Sequence, residues 1–353
     1  MSIISGTRAG RLLDSQLTRL LPIWNRRKTD PRTAAWGWTG FGVTLTDDPT
    51  IVYFFGSSVT SPPDLFNPVP GPVTGTSPIL ESPVKFQSIS SLRCTAVRAT
   101  MAHPGVEIHG CAEDGTVSQA GTLGAFLTAS DNSRSRWALS ANHVIAFNGD
   151  FPDLKVTVPA QTDLVAGPPV APAIQPQAAN PVDAAIVPCA PVTVNPRIPN
   201  LPIDTVEPST STAAGTPLAK LGFGMPGVAN GALSYFAARL EVNFDAGQFP
   251  FIQVEFRDQW IVRDGASPFA KAGDSGALVI AQTATSAPFG LLIAVQPGDR
   301  TGQRPGFSIV TPFRNVLSEL SRSIGVPLQL DPATVGPISP PSRFHAVGPR
   351  TAC

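Results

Sequence analysis

Proline and glycine constrain this chain more than any other feature. The sequence holds 38 prolines and 31 glycines among 353 residues. Proline lacks a backbone donor and clashes with the preceding helical turn, while glycine costs a helix interior about 1 kcal/mol relative to alanine. Long helices are therefore disfavoured over most of the length. What remains is a succession of short apolar runs bounded by turn signals, the pattern of an antiparallel β protein. Hydrophobic residues make up 42% of the chain, enough to bury a sizeable core and to fill two or three domains or subdomains.

Two windows keep helical spacing. Leu13, Leu17, Leu20, Leu21 and Trp24 share one face of a helix expected over residues 5–24, with Arg8, Arg11 and Arg19 off that face. With Arg26, Arg27, Lys28 and Arg32 following, such a face also suits a membrane surface or a transit peptide; packing on the body of its own protein or on another subunit is expected. Near the other end, Thr311-Pro312 offers a cap followed by a first-turn proline, and Phe313, Val316, Leu317 and Leu320 continue the helical period.

Residues 40–45 and 51–55 read as strands, and 84–89 as a third after a Pro/Gly/Ser-rich stretch at 57–78. Residues 1–100 are thus expected to form a small α+β region with a packing or assembly role, and a homo-oligomer is expected through it. From about residue 105 the texture changes. Asp114-Gly115, Asn148-Gly149, Asn230-Gly231 and Asp264-Gly265 are hairpin dipeptides, and residues 121–128 and 136–140 pair naturally around Asp131-Asn132-Ser133. Residues 151–208 are dense in proline, which suits edge strands and surface crossings. A second set of apolar runs follows at 218–222, 232–236, 251–256, 277–280, 290–295 and 306–310. The fold class expected is mainly β: two packed antiparallel six-stranded barrels at about 105–200 and 205–312, a closing helix at 312–324, and a proline-rich tail at 327–353.

Charge and cysteine content exclude several functions. Lys+Arg and Asp+Glu balance at 25 each, so nothing marks a nucleic-acid partner. No apolar run approaches the ~20 residues of a membrane span. Residues 1–30 hold no continuous apolar segment before a cleavage site, so a cytoplasmic protein without a secretory signal is expected. Cys94, Cys111, Cys189 and Cys353 are too few and scattered for a disulfide framework. His103 and His109 lie near Cys111 but lack a fourth ligand at sensible spacing, so no metal is expected.

The most chemically specific stretch is Gly273-Asp274-Ser275-Gly276, ahead of an apolar strand. A serine hydroxyl becomes a useful nucleophile when a tight turn holds it beside a base, with backbone N–H groups aimed at the developing oxyanion. The N–H groups of Gly273 and Ser275 suit that task. Upstream, Ala138-Leu139-Ser140-Ala141-Asn142-His143 ends an apolar strand with a histidine, and Val182-Asp183-Ala184-Ala185-Ile186 opens another with an aspartate. Each segment alone reads as ordinary structure. Together they run in the order His, Asp, Ser.

In these three segments, over roughly residues 105–325, the chain resembles the trypsin/chymotrypsin superfamily of serine proteases. Ala120-Gly121-Thr122-Leu123-Gly124 and Phe256-Arg257-Asp258-Gln259-Trp260 are similar to the non-secreted branch found in bacteria and in the plant narrow-leaf proteins, which carries an extra N-terminal region. The resemblance implies a serine endopeptidase acting on protein or peptide substrates, with His143 as base, Asp183 as its orienting acid, Ser275 as nucleophile and Gly273 and Ser275 as oxyanion donors. No cofactor is implied. It also puts Phe269, six before the nucleophile, at the floor of the pocket for the acyl-side residue, and Val295 on its wall. A shallow pocket for small or medium uncharged side chains is expected.

Two departures qualify the resemblance. Secreted trypsins free a new N-terminus to pair with the aspartate before the serine, yet no Lys or Arg lies between Arg98 and Arg134 to mark such a cut. Asp274 must find another partner or the site is assembled differently. Ile293 also stands where many relatives have a serine that helps hold the catalytic aspartate. The alternative function is a protease-fold scaffold or binding protein with vestigial catalysis. An α/β-hydrolase is disfavoured by Ala277 in place of its last glycine and by His345, in the proline-rich tail, being the only histidine after the serine.

Overall fold

The computed structural model describes residues 3–29, 38–55, 101–111, 118–130, 135–147, 154–159, 164–172, 181–244, 252–265, 267–296 and 306–336. The strand expected at 84–89 and the turns at 114–115, 131–133 and 148–149 lie outside them.

Helix α1 (Arg8–Arg26) forms where the leucine spacing predicts it. Thr7 caps it, its hydroxyl accepting the Gly10 N–H at 2.9 Å. Leu13, Leu20 and Trp24 are buried in one cluster with Trp38, Phe41 and Tyr53 from β1 (Trp38–Thr44) and β2 (Ile51–Phe55). Polar contacts fix the helix end: the Trp24 indole N–H donates to Glu255 at 2.6 Å, and Arg27 pairs with Glu241 at 2.7 Å while stacking 3.5 Å above the Trp24 ring. The apolar face therefore packs against the chain's own strands.

The middle of the chain builds two small sheets. β3 (Glu107–Cys111), β4 (Ser118–Thr122), β5 (Ala125–Ala129), β6 (Arg136–Ser140), the one-turn helix α2 (Asn142–Ile145), β7 (Lys155–Thr157) and β8 (Ala185–Pro188) follow in order. One sheet has the order β4-β3-β7, and β5-β6-β8 belong to the other. The expected single strand at 121–128 is thus two, broken at Leu123-Gly124 where the chain leaves one sheet for the next. Among the described residues this half is not one continuous six-stranded sheet.

The second half is a closed six-stranded antiparallel barrel. Its strands are β9 (Pro217–Gly222), β10 (Met225–Phe244), β11 (Ile252–Asp264), β12 (Leu278–Gln282), β13 (Ser286–Gln296) and β14 (Phe307–Pro312). They pair in the order β9-β10-β11-β14-β13-β12, with β12 returning to β9. β10 is 20 residues long and changes partner along its length, from β9 through Met225–Ala232 to β1 through Tyr235–Leu240. The N-terminal hairpin is thereby an extension of the barrel wall. Asn230-Gly231, expected as a turn, lies inside β10, and the turn falls at Phe223-Gly224 instead.

Helix α3 (Phe313–Ile324) starts one residue later than expected, because Thr311 belongs to β14 and its hydroxyl donates to Gln259 at 2.8 Å. Gly325, at φ 74°, ends it. The expected tail at 327 begins too early. β15 (Leu328–Leu330) joins β5 as the edge of the four-stranded sheet, and the Asp331 carboxylate accepts from Arg136 Nε at 2.7 Å. Apolar leucines alternate with Gln329 here, so the segment buries enough surface to hold despite its prolines.

Candidate active site

The β6–β8 pairing brings the histidine and aspartate segments together. Ser140, the last residue of β6, lies opposite Ala185, so the residues just beyond each strand end meet. His143 in α2 donates its backbone N–H to Asp183 Oδ1 at 3.0 Å, and its ring Nδ1 lies 2.6 Å from Asp183 Oδ2. The carboxylate is fully buried, while the imidazole keeps 10% of its side-chain surface exposed. With the proton on Nδ1 donated to Asp183, Nε2 is left as the basic atom. Two contacts from one carboxylate fix both the position and the tautomer of the ring.

The serine turn depends on two glycines in the left-handed region, Gly273 at φ 94° and Gly276 at φ 91°. Backbone bonds brace it: Asp274 N–H to Lys271 O at 3.0 Å, Ala277 N–H to Asp274 O at 2.9 Å, and Gly276 N–H to Leu292 O at 2.8 Å. A Cβ on Gly276 would lie 2.3 Å from Ser140 Oγ and 2.9 Å from Ala141 N. The serine turn and the segment leading to His143 are therefore in direct backbone contact. Ser275 itself is half-buried. Within the described residues neither its hydroxyl nor the N–H groups of Gly273 and Ser275 make a hydrogen bond. Both N–H groups of the turn are thus unused among the described residues.

Asp274 has its other partner. Lys220 Nζ, on β9, lies 2.8 Å from Asp274 Oδ2, and both side chains are completely buried. The same oxygen accepts the Lys271 N–H at 2.8 Å. The lysine contact is ionic rather than a well-angled hydrogen bond, since Lys220 Nζ and Asp274 Oδ1 have no hydrogen-bond partner among the described residues. Burial lowers the Lys220 pKa from 10.5, opposed by the Asp274 charge. Asp274 thus has a buried cation from the same chain as its partner.

Phe269 is fully buried in the barrel's apolar cluster. Its N–H donates to Asp264 Oδ1 at 2.8 Å, and its ring lies 5.8 Å from Lys220 Nζ. Val295 is half-buried against the same cluster, and Ile293 is fully buried in another, with Phe256 and Ile309. On the histidine side, His109 pairs with Glu107 and His103 Nδ1 lies 2.8 Å from the Pro104 carbonyl. Among the described residues no group of His, Cys, Asp or Glu is placed to hold a metal.

Two residues escaped the sequence reading. Lys220 is the one charge in the strand 217–222, and alternation places it on the same face as Leu218, toward the barrel interior. That pattern was a signal of a buried cation. Thr122 gave none, because its importance lies in contacts between distant segments.

No family model matches this chain, and no curated protein does. Solved structures do. A glutamic acid-specific serine protease that uses a histidine triad in substrate binding matches 65% of this chain and 100% of its own, at 16% identity and a TM-score of 0.43. Nocardiopsis protease covers 65% and 99%, at 16% identity and a TM-score of 0.39. The HtrA-type protease AlgW, solved with a tripeptide, covers 65% and 62%, at 18% identity and a TM-score of 0.36. The solved structures this chain is similar to are serine proteases of the trypsin/chymotrypsin fold. All three TM-scores fall below 0.5, and the functional reading rests on the chain's own geometry.

Proposed function

We propose that this chain is a serine endopeptidase that cleaves peptide bonds through an acyl-enzyme. The observation that carries the reading is the fully buried Asp183 carboxylate holding His143 at both its backbone N–H and ring Nδ1. His143 Nε2 takes the Ser275 proton as Oγ attacks the scissile carbonyl, then returns it to the leaving amine. Asp183 stabilises the imidazolium. The N–H groups of Gly273 and Ser275 bind the oxyanion, each worth about 3–4 kcal/mol in comparable sites. Lys220 holds Asp274, so the turn is set without a proteolytic cut. The reaction needs no cofactor.

The open Ser275 hydroxyl supports a second reading, a protease-shaped scaffold with idle catalysis. Catalytic hydrogen bonds tighten in the Michaelis complex, which favours the enzyme. A fluorophosphonate probe decides: labelling of the parent chain that disappears in Ser275→Ala and His143→Ala supports the endopeptidase, and an unlabelled parent overturns it. In the same proposal Phe269 and Val295 make the acyl-side pocket shallow and apolar, suited to Ala, Val or Leu. Cleavage of a peptide library mainly after Lys or Arg would refute that pocket. Among the described residues no helix is long and apolar enough to cross a membrane. A cytoplasmic location, and assembly of a homo-oligomer through residues 1–100, complete the proposal; light scattering on the full chain tests the latter.

A further inference from the structure

Thr122 makes four polar contacts that reach three parts of the site: the serine turn twice, the β9–β10 turn, and the segment leading to His143. Its N–H donates to the Ser275 carbonyl at 2.8 Å. Its hydroxyl donates to the Gly273 carbonyl at 2.8 Å and accepts the Phe223 N–H at 2.9 Å, from the β9–β10 turn. Its carbonyl accepts the Ser140 hydroxyl at 2.8 Å, three residues before His143. The residue is completely buried.

We propose that Thr122 is a positioning residue that holds the oxyanion loop in its working conformation and ties it to the histidine half of the site. The inference rests on the endopeptidase reading. Its physical basis is the freedom of Gly273. A glycine that adopts φ 94° without strain can also leave it without strain, so the aim of its N–H depends on what holds the adjoining peptide. Lys220 anchors the turn through the Asp274 side chain, and the other bond on the Gly273–Asp274 peptide, Asp274 N–H to Lys271 O, stays inside the loop, so neither fixes that peptide's rotation against the rest of the site. The Thr122 hydroxyl stops that rotation by donating to the carbonyl, and the Phe223 N–H orients the hydroxyl in turn. Because the same residue's main chain bonds both Ser275 and Ser140, movement of the loop relative to the histidine segment breaks several contacts at once.

Thr122→Val keeps the shape and removes both hydroxyl bonds, and Thr122→Ser keeps both bonds and removes only a methyl group. The fluorophosphonate labelling rate of Ser275, kcat and KM on a peptide substrate, and the melting temperature are measured for the parent and both variants. A loop displaced by about 1 Å can cost about 10²-fold in rate. T122V is expected to lose about that factor in labelling and in kcat, with KM little changed, and T122S to stay within about threefold of the parent. A role in stability alone would lower the melting temperature of T122V and leave kcat of the folded fraction unchanged. That result overturns the proposal, as does T122S falling as far as T122V. If T122V does not fold, Thr122→Ala removes the same hydroxyl without the added bulk, and a parent-like rate in T122A overturns the proposal. A parent chain that takes no label removes the endopeptidase reading and this inference together; a labelled parent with an equally labelled T122V removes only the inference.

Discussion

Two completely buried carboxylates, Asp183 and Asp274, have opposite kinds of partner. Asp183 meets an imidazole that remains 10% exposed, the group that in the proposed mechanism takes and returns the Ser275 proton. Asp274 meets a lysine with no exposed surface, a group that must stay charged for the pair to hold. One pair is built to change state and the other to prevent change. The architecture follows the same division: the exchanging pair sits among strands of three to five residues in two small sheets, and the fixed pair sits inside a closed barrel. A nucleophile and its oxyanion donors need preorganisation, which a closed barrel without free edges supplies.

The largest expected effect separates the roles of the two acids. Asp183→Asn keeps the shape but offers the histidine the wrong tautomer, and should cost on the order of 10⁴ in kcat with the fold intact. Assays of D183N alongside Asp153→Asn and Asp163→Asn check the assignment. Loss of activity in either of those, with D183N active, would reassign the acid.

Breaking the fixed pair should show in stability as well as rate. Lys220→Met leaves the buried Asp274 carboxylate without a counter-charge and with the Lys271 N–H as its remaining side-chain partner among the described residues, a state that costs about 3–5 kcal/mol of unfolding free energy. Replacing both residues, as Lys220→Met with Asp274→Leu, removes the stranded charge and should recover most of that stability while activity stays low. Chemical denaturation of the single and double variants measures this. Equal activity in the double variant and the parent would show that the pair does not set the turn.

The pH dependence should differ between the same two quantities. Lys220 has a pKa below its ordinary 10.5 in the folded chain because burial disfavours the cation. Between that lowered value and 10.5 the unfolded chain binds more protons at this site than the folded chain. The slope of unfolding free energy with pH is then positive, so this lysine contributes rising stability in the window. Activity should fall in the same window as the Asp274 contact loses its charge. Paired measurements of kcat and denaturation midpoint from neutral to alkaline pH check the divergence; parallel loss of both would assign the alkaline limb to general unfolding.

The second barrel and the segments that carry His143, Asp183 and Ser275 were legible because each depends on local pattern: strand period, turn chemistry and a glycine-flanked serine. Lys220 was legible in part, as a lone charge in an apolar strand, but its partner lies more than fifty residues away and no periodicity links them. Thr122 was not, since three of its contacts depend on where Gly273, Phe223 and Ser140 arrive in space. The strand at 328–330 was hidden for a different reason. Its prolines signal an irregular tail, and only the open edge of β5 gives the short Leu-Gln-Leu segment something to pair with.

That C-terminal strand provides the smallest test of the contrast. Arg136 and Asp331 join β6 to the segment after β15 at 2.7 Å, with Asp331 nearly buried and Arg136 32% exposed. Asp331 also accepts the Ala333 N–H at 2.9 Å, so its charge is partly satisfied without the arginine. Each carboxylate keeps one backbone N–H, but the partial exposure of Arg136 lets solvent screen its pair, while Lys220 and Asp274 have no exposed surface. Arg136→Met should therefore cost about 1 kcal/mol, well under the loss from Lys220→Met. Because Arg136 lies at the far end of β6 from Ser140, kcat should change little. Denaturation of R136M beside K220M gives the comparison directly. A loss as large as that of K220M would mean that the open half is held by its ion pair as tightly as the barrel, and that the two halves do not differ in rigidity as their topology implies.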